Sequence, residues 1–353
     1  MLKQRLSKLT KTATIMVTMS VFLLPVCYAQ LKPVNLVSDQ KSKRVDVLID
    51  NIFFTSYIYP DDLDKPVLYP VHNAKGTVVT RGFPLAPRPG ERVDHPHHVG
   101  IWFNYGNVND LDFWNNSYAI PVNEKTKYGS IRHQKIVKAE AGHDKGTLMV
   151  QSHWVDSQGN ILLIEESTFV FRGTDNLRTI DRTTKLTAQK VDVVFEESKE
   201  GLLGIRVDRA FEEPSTTPEI FTDAKGRPTT VALLYNEGVN GVYRNSIGSI
   251  KGEVWGKRAD WVSLSAIKDD EPITIAILDH KKNIGYPAHW HARGYGLFAI
   301  NNLGSKSFIP ADEEFRKTIS PGEAIIFHHR VLISSGKFLS DEEMNKQFIE
   351  FNK

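Results

Sequence analysis

The sequence predicts an all-β fold: a large antiparallel two-sheet sandwich, supersandwich-like, with a short C-terminal helix. Three observations carry this. Segments rich in Val, Ile, Thr and Phe recur along the chain. Compact Gly/Asn/Asp turns separate many of them, and helical periodicity is clearest near the C-terminus.

The elements follow in order. Arg44 to Ile49 alternates polar and apolar residues, and Thr77 to Thr80 is a short strand. Leu148 to Val155, Ile161 to Phe171, Leu177 to Leu186 and Val191 to Phe195 come next. Turns at Gly142 to Gly146, Asp156 to Asn160 and Gly173 to Asn176 punctuate this stretch. Thr230 to Tyr235, Trp261 to Ile267, Ile273 to Asp279, Leu297 to Ile300 and Ala324 to Ile333 continue the pattern. Ser340 to Phe351 is the helix. Ser340 and Glu343 form a capping-box pair, and Met344, Phe348 and Phe351 lie near one face. No boundary divides the chain after the leader, so residues 30–353 are expected to form one β-sandwich domain.

Residues 1–29 are expected to be a secretory signal peptide. Lys3, Arg5, Lys8 and Lys11 precede an apolar run from Ile15 to Val26, and Cys27-Tyr28-Ala29 offers a cleavage site. An uncleaved anchor and a lipoprotein at Cys27 rank below cleavage near Ala29. The expected location is the periplasm or the outside of the cell. Cys27 is the only cysteine, so the mature chain would have no disulfide, thiolate nucleophile or cysteine-bound metal. The net charge of +2, with no long basic block, gives nucleic-acid binding no support. After the leader no stretch of about 20 apolar residues would span a membrane. With no P-loop and no G-x-G-x-x-G after a strand, no nucleotide cofactor is expected.

Four constellations can carry chemistry. Asp94-His95-Pro96-His97-His98 puts three imidazoles beside a carboxylate. In an extended segment His95 and His97 share a face and His98 points away. Such a pair can exchange protons with a substrate or bind a metal. A divalent metal is left open, with His95, His97 and His291 as its ligands. The segment from Gly106 to Asn116 mixes Asn109 and Asp112 with Phe113 and Trp114, which suits sugar stacking and planar hydrogen bonding. A strand from His289 to Tyr295 places His289, His291, Arg293 and Tyr295 on one face. An Arg there can neutralise a uronate carboxylate and acidify the adjacent C–H, while His or Tyr moves the protons. Glu196 to Gly201 contributes Lys199 and Glu200. Arg81, before Gly82, is a candidate carboxylate clamp. The pair His328-His329 is read as structural.

These motifs resemble the DUF6807 family, also labelled "methane oxygenase PmoA". The motifs are Asp94 to His98, Val108-Asn109 with Asp112-Phe113-Trp114, Ser198 to Gly201, and Trp290 to Phe298. Val99, Ser198 and Lys281 depart from the family pattern, while the His, Arg and Glu positions keep it. The oxygenase label does not fit a chain without apolar spans. The resemblance implies exported proteins that accompany sugar-degrading enzymes, and it is compatible with a galactose-mutarotase-like supersandwich similar to that of several polysaccharide lyases.

The expectation is therefore a carbon–oxygen lyase acting by dehydration or β-elimination on uronic-acid-containing oligosaccharides. Its partner would be an acidic oligosaccharide or polysaccharide. His95, His97, His291, Arg293 and Tyr295 are the expected catalytic group. Arg81, His98, Asn109, Asp112, Trp114, Lys199, Glu200 and His289 are the expected substrate contacts. A mutarotase or epimerase and a non-catalytic glycan-binding protein are the alternatives.

Overall fold

The computed structural model describes residues 30–353, so the expected leader lies outside the described residues. The strands in the first half are β1 (Val34–Asp39), β2 (Arg44–Ile49), β3 (Ile52–Ile58), β4 (Val67–Val71), β5 (Ile101–Tyr105), β6 (Ser130–Glu140), β7 (Gly146–Val155) and β8 (Ile161–Gly173). Then come β9 (Leu177–Ala188), β10 (Val193–Glu196), β11 (Gly201–Arg206), β12 (Val242–Asn245), β13 (Trp261–Lys268) and β14 (Glu271–Asp279). The last are β15 (His289–Arg293), β16 (Leu297–Asn301), β17 (Arg316–Ile319) and β18 (Ala324–Ser335), before helix α1 (Asp341–Phe351).

Two eight-stranded antiparallel sheets pack as the predicted sandwich. One runs β1-β2-β3-β4-β5-β11-β16-β15 and the other β12-β13-β14-β18-β9-β8-β7-β6, with β10 and β17 as a small separate pair. β7 shows why such strands form: its residues alternate buried and half-buried along all ten positions, so one face meets the core. A continuous apolar cluster fills the space between the sheets. Ile101, Phe103, Leu203, Ile205, Phe298 and Ile300 enter it from one side, and Leu148, Val150, Phe169, Phe171, Phe327 and Val331 from the other.

At the C-terminus, Ser340 caps α1 and exchanges bonds with Glu343 in the predicted capping box. Met344 and Phe348 are buried against Trp261, Leu278 and Leu332. Burial of each contributes roughly 1.5–3 kcal/mol. Among the described residues no helix is long and apolar enough to cross a membrane.

Two local expectations change. Thr230 to Tyr235 is no strand: it makes a lone bridge from Leu233 to Glu219. Val231, Leu233 and Leu234 are exposed there, so the run has no buried face to hold it in a sheet. Thr77 to Thr80 likewise makes only isolated bridges. The sequence gives no signal for β5, because all five of its residues are buried and alternation is absent. Its inner face meets the core, and its outer face carries Trp102, packed with Trp114 and Tyr69.

Candidate active site on the outer face of the first sheet

The register of four adjacent strands lays out the floor. Trp102, Gly204, Ala299 and His291 form one row across β5, β11, β16 and β15. Arg206, Leu297 and Arg293 form the next. Phe298, Ile300, Trp290 and Ala292 face the core, so alternation turns the residues of these two rows outward. A Cβ on Gly204 would sit 2.5 Å from Cζ2 of Trp102, so the glycine lets the indole lie flat on the sheet. Gly204→Ala is therefore expected to displace Trp102 and cost about 1–3 kcal/mol. A lowered thermal midpoint with altered tryptophan emission is the readout, and an unchanged pair of values would refute it.

Above this floor stands the histidine segment, and it is not extended. His98 N donates to His95 O at 2.9 Å, and His95 has φ +40°, so the four residues close a turn. The turn changes which rings share a face. His95 and His98 stack, with centroids 4.9 Å apart and planes 7° from parallel. Tyr295 stacks on the other side of His95 at 5.0 Å and 3°. Trp102 stacks under His98 at 5.1 Å and 13°. The result is a column of four rings running from the sheet floor to the surface. His97 stands nearly perpendicular to it, at 72° to His98.

Asp94 ties the column down. Its Oδ1 accepts from Arg81 and from Arg206 at 2.6 Å, and its Oδ2 lies 3.0 Å from His95 Nδ1. Burial works to raise the Asp94 carboxyl, but the Arg206 and Arg81 guanidiniums and the His95 contact overcome it. They hold it well below the usual carboxylate range. In a neutral His95, the ionised Asp94 facing Nδ1 favours the tautomer with the proton on Nδ1 and the lone pair on Nε2. Arg206 Nη1 lies 3.3 Å from His98 Nδ1, which must then accept.

The strand from His289 also ends early, at Arg293. Gly296 N donates to Arg293 O, and Gly296 adopts φ +88°, so Tyr295 sits in a hairpin turn rather than on a strand face. That turn still delivers Tyr295 to the ring column. Burial raises its hydroxyl to about 12, with Arg206 and Arg293 pulling the other way.

His291 points from the floor toward Glu200, with Nδ1 3.4 Å from Oε2 but too poorly aligned for a hydrogen bond. Burial raises the Glu200 carboxyl, opposed by Lys199, whose Nζ lies 3.2 Å from Oε1. Burial and then Arg293 push His291 down to about 3. Gly106 makes this approach possible, since a Cβ there would meet Ser198 Oγ at 2.6 Å and Glu200 Cβ at 2.8 Å. The Arg293 guanidinium lies 4.8 Å over the Trp255 ring, and among the described residues it has no carboxylate partner.

His95, Glu200, His291, Arg293 and Tyr295 thus come together from distant parts of the chain, and Lys199 joins them at the edge. The other expected contacts take different places. Arg81 is buried, and its guanidinium is taken up by Asp94 and by the carbonyls of Arg92, Asp94, His95 and His98. Those bonds hold the histidine turn. His98 and Trp114 are buried inside the aromatic cluster around Trp102. Asn109 is spent on Val194 N and Asp192 O. Asp112 caps its own turn through Trp114 N and Asn115 N. His289 is buried, bonded to Gly256 O and stacked on Phe308. His97 turns into a separate recess beside Lys65.

Arg206 is the main residue that sequence reasoning missed. Its strand begins Gly-Leu-Leu-Gly, with no alternation to mark the outward positions.

A family model described as "Family of unknown function (DUF6807)" matches residues 44–349. The chain belongs to the DUF6807 family. No curated protein matches it. Among solved structures, the galactosidase domain of an alpha-galactosidase-sucrose kinase, AgaSK, matches with TM-score 0.36 and 8% identity. That match covers 85% of this chain and 41% of the other, so the chain spans about two-fifths of its length. Galactose 1-epimerase from Lactobacillus acidophilus NCFM matches with TM-score 0.32 and 10% identity, covering 88% of this chain and 100% of that one. A putative aldose 1-epimerase from Escherichia coli K12 matches with TM-score 0.25 and 11% identity, covering 88% and 100%. At these TM-scores the likenesses carry no argument about this chain.

The DUF6807 chain does not assemble the metal-ligand set left open from its sequence. Among the described residues no group of three or more His, Cys, Asp or Glu is arranged to hold a metal ion. The turn at His95–His98 is the reason. It sets the His97 ring edge-on to His95, at 79° with centroids 5.6 Å apart, and His291 instead lies against Glu200.

Proposed function

We propose that this DUF6807 chain is an exported carbohydrate-active lyase of the periplasm or cell exterior, eliminating across a carbon–oxygen bond of uronic-acid-containing oligosaccharides. The observation that carries the reading is the Arg293 guanidinium. It is stacked on Trp255, free of any carboxylate partner among the described residues, and set beside His291 and Tyr295.

A uronate carboxylate paired with Arg293 would be neutralised, which lowers the barrier to removing the adjacent proton. His95 offers the base. Asp94 lies 3.0 Å from its Nδ1 and favours the tautomer whose Nε2 can take the proton. Tyr295 is kept protonated at neutral pH and offers the acid that protonates the departing oxygen. Proton and leaving group then depart with a new C=C bond, and the electron count closes without a redox partner.

The test is incubation with a panel of acidic oligosaccharides, followed by mass spectrometry and absorbance. Loss of water, or cleavage with the unsaturated-uronate band, is expected. Arg293→Ala should lower kcat/KM by on the order of 100-fold or more, while Arg293→Lys should keep part of it. Activity indifferent to Arg293→Ala would overturn the reading.

The close Glu200–His291 contact favours a second reading, a mutarotase or epimerase. An acid and a base of that kind suffice to move a proton at a sugar carbon or hydroxyl with no leaving group. Solvent-deuterium exchange, or anomer interconversion without change of covalent structure, would select it. Binding with no turnover of either kind would leave a glycan-binding protein.

A further inference from the structure

Against Pro96 and His97 of the histidine turn lies a recess of about 190 Å³ that the elimination scheme does not use. Its walls are apolar, from Leu63, Val67, Leu85 and Val99, and Tyr118 stands exposed at its rim. Asp62, Asp64, Asn116 and Ser117 also line it, and Lys65 and His97 are the basic side chains there, both more than nine-tenths buried. Lys65 Nζ donates to the His97 carbonyl at 2.8 Å and lies 5.7 Å from the Trp102 ring centre. Among the described residues no carboxylate reaches salt-bridge distance of it. Asp64, on the same lining, and Asp112 act on Lys65 only from beyond that distance, and Asp64 is engaged by Lys125, Arg132 and Ser130. His97 Nε2 is buried with no hydrogen-bond partner.

A buried ammonium is ordinarily paired, because an uncompensated charge in such surroundings is costly. One carbonyl and a distant indole leave most of that cost standing. Burial accordingly pushes the Lys65 amine down to about 8. An unpaired cation beside an unpartnered imidazole, at the base of an apolar cleft with an aromatic rim, is short of one acceptor-rich anion.

We propose that this recess is a carboxylate-binding site, in which Lys65 and His97 hold the carboxylate and the apolar wall and Tyr118 hold the body of the ligand. Asp62, also on the lining, is exposed to water at the rim, where its charge is screened. The ligand is either an acidic sugar residue or a small organic acid. The site does not depend on the elimination reading, since it shares neither Arg293 nor Tyr295.

Titration calorimetry on the full chain carrying Arg293→Ala tests it, because that background removes the other carboxylate clamp. D-glucuronate, acetate and glucose are the probes. A carboxylate probe should bind and glucose should not, and Lys65→Met should weaken the binding at least about tenfold. Glucuronate binding more tightly than acetate assigns the site to acidic sugars, and equal binding assigns it to small carboxylates.

Binding an anion must raise the Lys65 amine. At a pH of about 8.5 the wild-type site should therefore take up part of a proton, read from two buffers of different ionisation enthalpy. Lys65→Met should not. Absence of carboxylate binding, or binding and proton uptake unaltered in Lys65→Met, overturns the proposal.

Discussion

Asp94→Ala is expected to cost about 3–5 kcal/mol of stability and to abolish any activity. The side chain of Asp94 is one-fifth exposed, but the guanidiniums it holds, those of Arg81 and Arg206, are fully buried. Removing the carboxylate leaves two like charges facing each other in a water-poor site. Arg81 keeps its four carbonyl acceptors, whereas Arg206 keeps only the His98 contact and the face of Tyr295. Arg206 should therefore move and take the ring column with it. Urea denaturation of Asp94→Ala, with Asp62→Ala as an exposed control, checks this. Equal midpoints for the two variants would show that the Asp94 hub is not what holds the turn. The double variant Asp94→Ala/Arg206→Met should recover part of the loss, because it removes the stranded charge along with its partner.

The second large effect concerns acid. His98, His291 and His329 are each buried to within about 2% of full cover. Burial holds His291 and His329 at about 3 and pushes His98 well below its ordinary value. Below pH about 6.5 the unfolded chain binds protons at these sites and the folded chain does not. Stability is therefore complete above that pH and drains away as the pH falls toward 3. At pH about 5 each histidine accounts for roughly 2 kcal/mol. Asp279 works in the opposite sense, because burial raises it to about 6 and its folded form takes up a proton first. It returns about 1 kcal/mol at that pH.

The loss from these four groups, on the order of 5 kcal/mol, is comparable to the whole stability of many domains. A steep fall in the denaturation midpoint between pH 7 and pH 5 is expected. His329→Gln should flatten it, since a Gln amide can donate to Asn302 as the imidazole does. A midpoint that is level across this range would rule out the neutral buried histidines.

The sandwich and its long hairpins were legible from alternation and turn composition alone. So was the C-terminal helix with its capping box. Each of these depends on residues near one another in the chain. β7, β8, β9, β13, β14 and β18 each have a run of alternating or strongly apolar residues, and Ser340 and Glu343 are three positions apart. The strands that carry the site were harder to read. β5 and β11 are covered on both faces, so period-two patterning is absent where the floor is laid.

Tertiary structure alone decided which candidate residues share a pocket. The His95–His98 turn exchanges the partners that an extended segment would give, because its hydrogen bond and the Arg81 cap override the local preference for extension before Pro96. Arg81, Asn109, Asp112 and His289 have side chains fit for binding, yet each is spent on holding a loop. A residue type shows what chemistry is available. Whether a polar group remains free for a ligand depends on which backbone groups the fold leaves without a partner, and that is settled only when distant segments meet.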